Sequence, residues 1–275
     1  MTRRGVRGLL LHAVLVAAVA ISVFPLFWML VLASNTTSAI YQVPPKLTFG
    51  SHLLSNLRRV FDTIDIIGSL VNTVIVAVCT TALVLFLDSL AAFTFAKFEF
   101  PGRRLLFGAL LGIFMLPVQL SLIPQFVIMV HLGWVGDLRA LIVPAAANAF
   151  GIFWMRQYIS SAVPDELLDA ARIDGCGFFR QYRSIALPII RPGLAFLGIY
   201  TFIVAWNDYV WPLIVLVNPD RLTLQVSLAQ LNTTHNTDYS LVITGALIAV
   251  APLLAVFLLF ARYFVNDALK GALRG

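Results

Sequence analysis

Residues 165–192, DELLDAARIDGCGFFRQYRSIALPIIRP, concentrate charged side chains in an otherwise apolar chain. Of the 275 residues, 60% are hydrophobic and only 12% are charged, and the mean hydropathy is +0.92. A soluble domain needs a largely polar surface, so this composition indicates an integral membrane protein. The charged stretch is therefore expected to lie outside the lipid, between two membrane spans.

Six apolar segments match the length of roughly 20 helical residues that a bilayer core requires, the fourth of them less well than the others. The predicted spans are residues 9–32, 69–96, 105–130, 140–155, 193–217 and 241–261. They predict an all-α membrane protein with six transmembrane helices. Pro117 and Pro124 are expected to kink the third span, which would let helices diverge around a cavity.

Basic residues predict the orientation, because Lys and Arg near span ends are retained on the cytoplasmic side. With the N-terminus inside, five of the 19 basic residues fall outside and the other fourteen fall in cytoplasmic segments; the outer five are Lys46, Arg58, Arg59, Arg139 and Arg221. Both termini and the charged stretch are therefore predicted to be cytoplasmic. The pI near 9.7 then describes membrane topology, so nucleic acid is not an expected partner. The first apolar run is too long for a cleaved signal peptide, which favours an uncleaved span.

The charged stretch begins with signals for a short helix. Pro164 suits the first helical position, and Asp165 and Glu166 place negative charge at the positive end of the helix dipole. Gly175 can adopt the left-handed conformation that ends a helix. A helix between Pro164 and Gly175 is therefore predicted.

One face of this helix carries small side chains that would let another surface approach its backbone. The face consists of positions i, i+3, i+4 and i+7, which are Leu167, Ala170, Ala171 and Asp174. After the turn, FFRQYRSIA (178–186) predicts a second short helix, which Pro188 and Pro192 are expected to break. An amphipathic hairpin lying on lipid headgroups is the alternative interpretation, with Asp169 and Arg172 as a simple surface pair.

The order of residues in this stretch resembles the EAA loop of permease subunits in ABC-type importers, where E-A-A is followed by D-G and later by L-P. DAARIDG matches with Asp169 in place of Glu, Leu187 and Pro188 match the end, and Cys176 stands where Ala is common. Three further segments resemble the carbohydrate branch, that of the maltose-type permeases. They are AAFTFAKFEFPGRRLL (91–106), AWNDYVWPLIVL (205–216) and RYFVNDALKGALRG (262–275).

This resemblance implies a type I ABC importer (MetI-like) permease fold in a bacterial inner membrane, with cytoplasmic EAA coupling helices that sit in a cleft of an ATPase. It divides the chain into a first span and outer loop at 1–68, a permease core at 69–266 with the coupling loop at 164–192, and a cytoplasmic tail at 267–275. The residues that it assigns to ATPase coupling are Glu166, Leu167, Asp169, Ala170, Ala171, Asp174, Gly175, Leu187 and Pro188.

The same resemblance implies the partners. They are a second homologous permease subunit in a heterodimer, two ATP-binding subunits, an extracytoplasmic solute-binding protein and the lipid bilayer. This chain has no Gly-Lys dipeptide and hence no phosphate-binding loop, so ATP and Mg²⁺ are expected on the partner ATPase and no cofactor or metal in this chain. The implied function is to form half of the translocation pathway for a sugar or sugar-like solute.

Four residues within the spans are possible pathway residues: Asp88, Trp206, Asn207 and Asp208. An ionisable group inside the membrane is costly, so Asp88 is either a gate or a partner in a helix–helix hydrogen bond. The Trp206–Asp208 group offers the aromatic face and the hydrogen-bonding groups that a sugar ring requires. Tryptophan near a membrane interface also has a purely lipid role, so both interpretations stay open.

Two other classes of function are weaker. A self-contained secondary transporter or channel needs an ion-coupling site, for which only Asp88 is available. A membrane enzyme needs a catalytic constellation, and the sequence shows none. The sequence therefore favours an importer subunit that is not itself an enzyme.

Overall fold

The computed structural model describes residues 3–44, 46–232 and 237–272, with side chains described from residue 10 to residue 258 of these ranges. The described chain is helical and contains no strand, which confirms the predicted helical class. The α-helices are α1 (Arg3–Ala33), α2 (Thr37–Ile40), α3 (Leu53–Thr63), α4 (Ile66–Lys97), α5 (Arg103–Phe114), α6 (Leu122–Leu132), α7 (Arg139–Ile142), α8 (Ala149–Ala162), α9 (Asp165–Ile173), α10 (Phe178–Gln181), α11 (Leu187–Ile189), α12 (Arg191–Asn207), α13 (Val210–Val215), α14 (Leu224–Ala229) and α15 (Tyr239–Ala272). Two 3₁₀ helices (Val118–Ser121 and Pro219–Arg221) and a π-helix (Tyr182–Ala186) complete them. Of the predicted tail at 267–275, residues 273–275 lie outside the described residues.

Three helical segments of the described chain are long and apolar enough to cross a membrane by themselves: Leu10–Ala33, Ile66–Lys97 and Tyr239–Leu258. Two further pairs of helices meet the same criteria together but are sharply bent. They are Arg103–Phe114 with Val118–Leu132, at 97°, and Phe178–Ile189 with Arg191–Asn207, at 81°. The described helices thus supply three spans, or up to five when each bent pair counts as one.

The predicted third and fourth spans differ from single straight helices. In the third, α5 ends at Phe114 and the chain turns at Pro117, whereas Pro124 lies in the first turn of α6 and leaves that helix intact. A proline in the first turn removes an N–H that has no partner within the helix, so only Pro117 interrupts the span. The fourth is divided between the four residues of α7 and the fourteen of α8, with Pro144 and the N-cap Asn148 between them.

The helices form two compact units. The first consists of residues 1–66 and 227–252. Within it, the buried Asn56 amide donates to the carbonyl oxygens of Ala33 (2.9 Å) and Asn35 (3.0 Å), which ties α3 to the end of α1. Asp238 accepts hydrogen bonds from Arg59, at 2.6 Å, and from Thr37.

The second unit consists of residues 67–226 and 253–275 and contains the charged loop. One apolar cluster in this unit is formed around Phe93, Met155, Ile159 and Leu197. A second is formed around Met129, Leu141, Trp211 and Val215. The first cluster includes Leu168 and Tyr182 of the charged loop, so the loop is packed onto the helices rather than projecting from them.

Candidate functional site

The first short helix of the charged loop, α9, has a defined beginning and end. Pro164 is its N-cap, one position earlier than expected, and Asp165 and Glu166 lie in its first turn. At its C-terminus Gly175 has a φ of +75°. The Gly175 N–H donates to the Arg172 carbonyl at 3.0 Å and the Cys176 N–H donates to the Ala171 carbonyl at 2.8 Å. This pair of bonds is the Schellman arrangement, in which a glycine with positive φ closes the helix.

The side chains of α9 are divided between two faces. Leu168 and Ala171 are buried, at 1% and 6% exposure, and hold the helix against the second unit. The opposite side exposes Glu166, Leu167, Ala170 and Asp174, and Ile173 is 87% exposed. The predicted small-residue face is thus divided, with Ala171 inside and its other three members outside.

Beyond Gly177 the chain runs as one helical segment, Phe178–Ile189, through α10, the π-helix and α11. Pro188 therefore does not break it; the bend of 81° comes after Ile189, immediately before Pro192. The widened π turn, in which the Leu187 N–H reaches the Tyr182 carbonyl, directly precedes the proline that lacks an N–H. Leu187 is half-buried and Pro188 is exposed.

The end of α4 anchors the loop through polar contacts. Lys97 Nζ lies 2.8 Å from Asp165 Oδ1, and the Arg172 guanidinium lies 5.5 Å from the ring centre of Phe98. Arg172 also forms the surface pair with Asp169 at 2.8 Å that the sequence suggested.

Aromatic packing completes this anchor. The Phe178 ring centre lies 5.0 Å from that of Phe98 and 5.6 Å from that of Phe93. The Tyr182 hydroxyl lies 2.6 Å from the Ser89 hydroxyl. Residues 89–98, at the end of α4 and just beyond it, therefore form the seat of the loop, a role that the sequence alone did not suggest. Their spaced phenylalanines were the available signal.

Asp88 lies one residue before this seat and is fully buried. Its carboxylate accepts from the backbone N–H (3.2 Å) and side-chain amide (3.1 Å) of Asn148, the N-cap of α8. A Cβ on Gly151 would lie only 2.0 Å from Asp88 Oδ2, so glycine is required for this approach. This geometry favours the helix–helix hydrogen bond over the gate among the two roles considered for Asp88.

The three residues at the end of α12 occupy different environments. Trp206 is 1% exposed and stacks on Phe202, while Asn207 is exposed and donates to the Ile203 carbonyl at 2.8 Å. Asp208 lines a cavity of about 330 Å³ within the second unit. A neighbouring cavity of about 370 Å³ shares Asp208 with it.

Hydroxyl groups make the first cavity, the 330 Å³ one, chemically distinctive. Thr80, Thr201 and Thr223 line it, and each is at least nine-tenths buried. None of their three hydroxyl oxygens has a hydrogen-bond partner in the described chain. Buried polar groups normally have one, so these three hydroxyls are unsatisfied in the wall of the cavity, where their oxygens expose almost no surface. Nothing in the sequence indicated this role, because threonine is ordinary both within a membrane span, as at Thr80 and Thr201, and between spans, as at Thr223.

The ring pair formed by Phe150 and Tyr200, with centres 4.7 Å apart, lies at the same cavity. No Lys or Arg is among the described residues that line either cavity. In the described residues, no group of three His, Cys, Asp or Glu side chains is placed to hold a metal ion.

Comparison with known proteins gives concordant matches. Residues 57–269 match the family described as binding-protein-dependent transport system inner membrane component. The lactose transport system permease protein LacG of Rhizobium radiobacter is 34% identical over 267 residues, which covers 97% of each chain. The sn-glycerol-3-phosphate transport system permease protein UgpE of Brucella abortus (strain 2308) is 31% identical over 277 residues, which covers 98% of each.

A solved structure is also similar in fold. A chain of a bacterial ABC transporter involved in the import of the acidic polysaccharide alginate matches with a TM-score of 0.77 at 22% identity. The match covers 96% of the present chain and 99% of that chain.

Proposed function

This chain belongs to the family of binding-protein-dependent transport system inner membrane components, and from that membership we propose that it receives the force of ATP hydrolysis through residues 164–192. It is the permease component of an ATP-driven importer. In the proposal it forms a heterodimer with a second permease and contacts two ATPases, which bind ATP and Mg²⁺, and a solute-binding protein. The chain crosses the inner membrane six times, with both termini in the cytoplasm.

Six spans are consistent with the helices. Three single helices and the bent pair of α5 with Val118–Leu132 supply four, and α7 with α8 supplies a fifth as an interrupted span. The sixth is α12 with α13, because Phe178–Ile189 of the second bent pair belongs to the loop at 164–192. An odd number of spans would place the two termini on opposite sides of the membrane, which would disagree with the distribution of basic residues.

The observation that carries the coupling proposal is the division of α9 into two faces. Leu168 and Ala171 fix one face to the second unit, while Leu167, Ala170 and Ile173 leave an apolar face exposed beside the Glu166 and Asp174 carboxylates. An exposed apolar patch with a charged rim is typical of a protein-binding surface. A hairpin resting on lipid would need its cations at the headgroups, but the exposed residues of α9 and its C-cap include four carboxylates, and its one exposed cation, Arg172, is paired with Asp169.

The test is Ala170→Trp in the assembled transporter, with Ser160→Trp on the exposed surface of α8 as the matched control. The bulky indole is expected to prevent close approach of the ATPase. Co-purification with the ATPase and stimulation of ATP hydrolysis by loaded binding protein should then fall in the Ala170 variant alone. Unchanged values in that variant would contradict the coupling role.

The proposed solute is a neutral polyhydroxylated molecule, such as a sugar. Relatives named for lactose and for arabinooligosaccharides support a carbohydrate, whereas that named for sn-glycerol-3-phosphate points to an anion. The cavity supports the first, because the described residues that line it include Asp208 and three threonines but no Lys or Arg. Phosphate recognition normally uses Arg or Lys, so a neutral solute fits better.

A further inference from the structure

A third cavity of the second unit differs in its chemistry from the two that Asp208 lines. It encloses about 510 Å³ between α4, α5 and α8. Three arginines and one glutamate line it together with four apolar residues, and these are Arg103, Arg104, Arg156, Glu99, Phe95, Phe107, Gly108 and Leu111.

Two of the three arginines have no carboxylate partner among the described residues. Arg103 forms an ion pair with Glu99, and its Nε donates to the Phe95 carbonyl at 3.0 Å. No carboxylate of the described chain lies within ion-pair distance of Arg104 or Arg156. Two positive charges therefore face one cavity without a counterion, which favours an anionic ligand with several acceptor oxygens.

Two further features increase the attraction for an anion. Arg156 is held in place because its guanidinium lies 4.4 Å from the ring centre of Phe107. The cavity also lies at the N-terminus of α5, a twelve-residue helix whose dipole is positive at that end.

The apolar part of the cavity decides which anion fits. Phe107, Gly108 and Leu111 continue from the arginines along one side of α5. On the same helix, Leu105 and Leu106 are 78% and 54% exposed, as expected for a surface in contact with acyl chains. A dissolved phosphate ion would contact only the arginines, whereas a phospholipid would contact the arginines with its phosphate and the apolar wall with an acyl chain.

We propose that this cavity binds an anionic phospholipid, with the phosphate on Arg104 and Arg156 and an acyl chain along Phe107 and Leu111. Basic pockets between spans at the cytoplasmic face are suited to such headgroups. The bound lipid would join α4, α5 and α8 at the end of the helices from which the 164–192 loop extends. This inference does not depend on how that loop couples to an ATPase.

Native mass spectrometry of the detergent-purified transporter tests the proposal, with dioleoyl phosphatidylglycerol added as the probe and dioleoyl phosphatidylcholine compared with it. The variants are Arg104→Gln and Arg156→Gln, singly and together. Arg58→Gln removes an exposed arginine of the other unit and is the matched control. A parallel titration with inorganic phosphate separates a lipid headgroup from a free ion, and thermal unfolding of each variant monitors folding.

The transporter should retain phosphatidylglycerol in preference to phosphatidylcholine. Each arginine removed from the cavity should weaken that binding by about tenfold, as expected for a charge-assisted hydrogen bond to phosphate. The Arg58 variant should bind as the unmodified protein does. Equal retention by the double variant, equal binding of the two lipids, or displacement of the lipid by millimolar inorganic phosphate would each overturn the proposal.

Discussion

Lys97 Nζ lies 2.8 Å from Asp165 Oδ1, so an ion pair joins the last residue of α4 to the first residue of α9. The Lys97 side chain is only 5% exposed, whereas that of Asp165 is 77% exposed. The cation is therefore fixed by the helix bundle and the carboxylate belongs to the more accessible loop. A displacement of α9 by a partner would act directly on α4 through this pair.

Lys97→Met is expected to weaken that connection while retaining an apolar side chain of similar length. A partly exposed ion pair contributes about 0.5–1 kcal/mol, which corresponds to about a two- to fivefold shift in the equilibrium between attached and detached α9, so less solute should be transported per ATP hydrolysed. Asp165→Asn should have a similar effect. Because both changes remove one interaction, the double variant should be scarcely worse than either single variant. Additive losses would show that the two residues act separately.

Gly175→Ala tests the turn between the two short helices. A Cβ at this position would meet no atom within 4 Å, so the expected cost arises only from its φ of +75° and amounts to roughly 1–2 kcal/mol. Gly175→Asn should cost less, because Asn tolerates this conformation. Gly177→Ala is the control, since Gly177 has a φ of −72° and equally open surroundings. Thermal unfolding and ATPase co-purification measure both; equal behaviour of the two alanine variants would refute the requirement for a left-handed residue.

Local chemistry explains why this turn could be predicted. The bonds that close α9 join residues 171–176, and the acidic residues of its first turn act on adjacent N–H groups, so a short window of sequence contained the required information. The seat of the loop could not be predicted in this way. Ser89 and Tyr182 are 93 positions apart, and their contact depends on how α4 and the loop pack.

The predicted spans show the same limit. Composition identified the apolar segments, but it could not specify where Asn148 would cap a helix and shorten the fourth span to the fourteen residues of α8. The partner of that cap is Asp88, sixty positions away, which the sequence presented only as an isolated intramembrane carboxylate. The threonines of the first cavity were equally inconspicuous, because their significance comes from lacking a partner in three dimensions.

Gly151→Ala should destabilise the protein strongly, because its Cβ would lie 2.0 Å from Asp88 Oδ2. Asp88 is fully buried and bonded to Asn148 through both oxygens, so it has little freedom to move away. Overpacking of this kind costs about 1–3 kcal/mol. Gly112→Ala, where nothing lies within 4 Å, is the control and should be neutral or slightly stabilising. Thermal unfolding in detergent measures both, and equal midpoints would contradict the close contact.

Asp238 should make the stability of the first unit depend on pH. Partial burial acts to raise its pKa, but hydrogen bonds from Ser240, Thr37 and Arg59 outweigh burial and hold the pKa well below its usual value. The pKa of Asp238 is therefore lower in the folded protein than in the unfolded chain, where it is about 3.9. The ionised carboxylate stabilises the folded state at pH values above about 3.9, and this contribution is lost as the pH falls below about 3.9 toward the folded-state pKa.

Asp238→Asn should therefore lower the unfolding temperature at pH 7 and have a smaller effect near pH 3.5. Asp62→Asn removes an exposed carboxylate of the same unit that forms no ion pair with the described residues, so it is the matched control. The comparison requires thermal unfolding of all three proteins at each pH. A deficit of the same size at both pH values would exclude the ionised carboxylate as its cause.

Thr201→Val tests whether the first cavity receives the solute. Valine has nearly the shape of threonine, and the Thr201 hydroxyl has no partner in the described chain. If the cavity served only for packing, removing an unpaired buried hydroxyl would stabilise the protein and leave transport unchanged. We expect instead that the Thr201 hydroxyl turns into the cavity when the solute binds, so that the KM of the valine variant for a neutral sugar rises about fivefold, the loss of one hydrogen bond worth about 1 kcal/mol. Thr94→Val is the control, because that hydroxyl already bonds the Leu90 carbonyl at 2.9 Å and the residue does not line this cavity.

A phosphorylated solute should compete poorly with the neutral sugar. Asp208 gives the cavity a negative charge, and no cation among the described lining residues offsets it. An unchanged KM in the Thr201 variant would show that the first cavity is not part of the solute pathway. It would not bear on the coupling loop, which its own variants test separately.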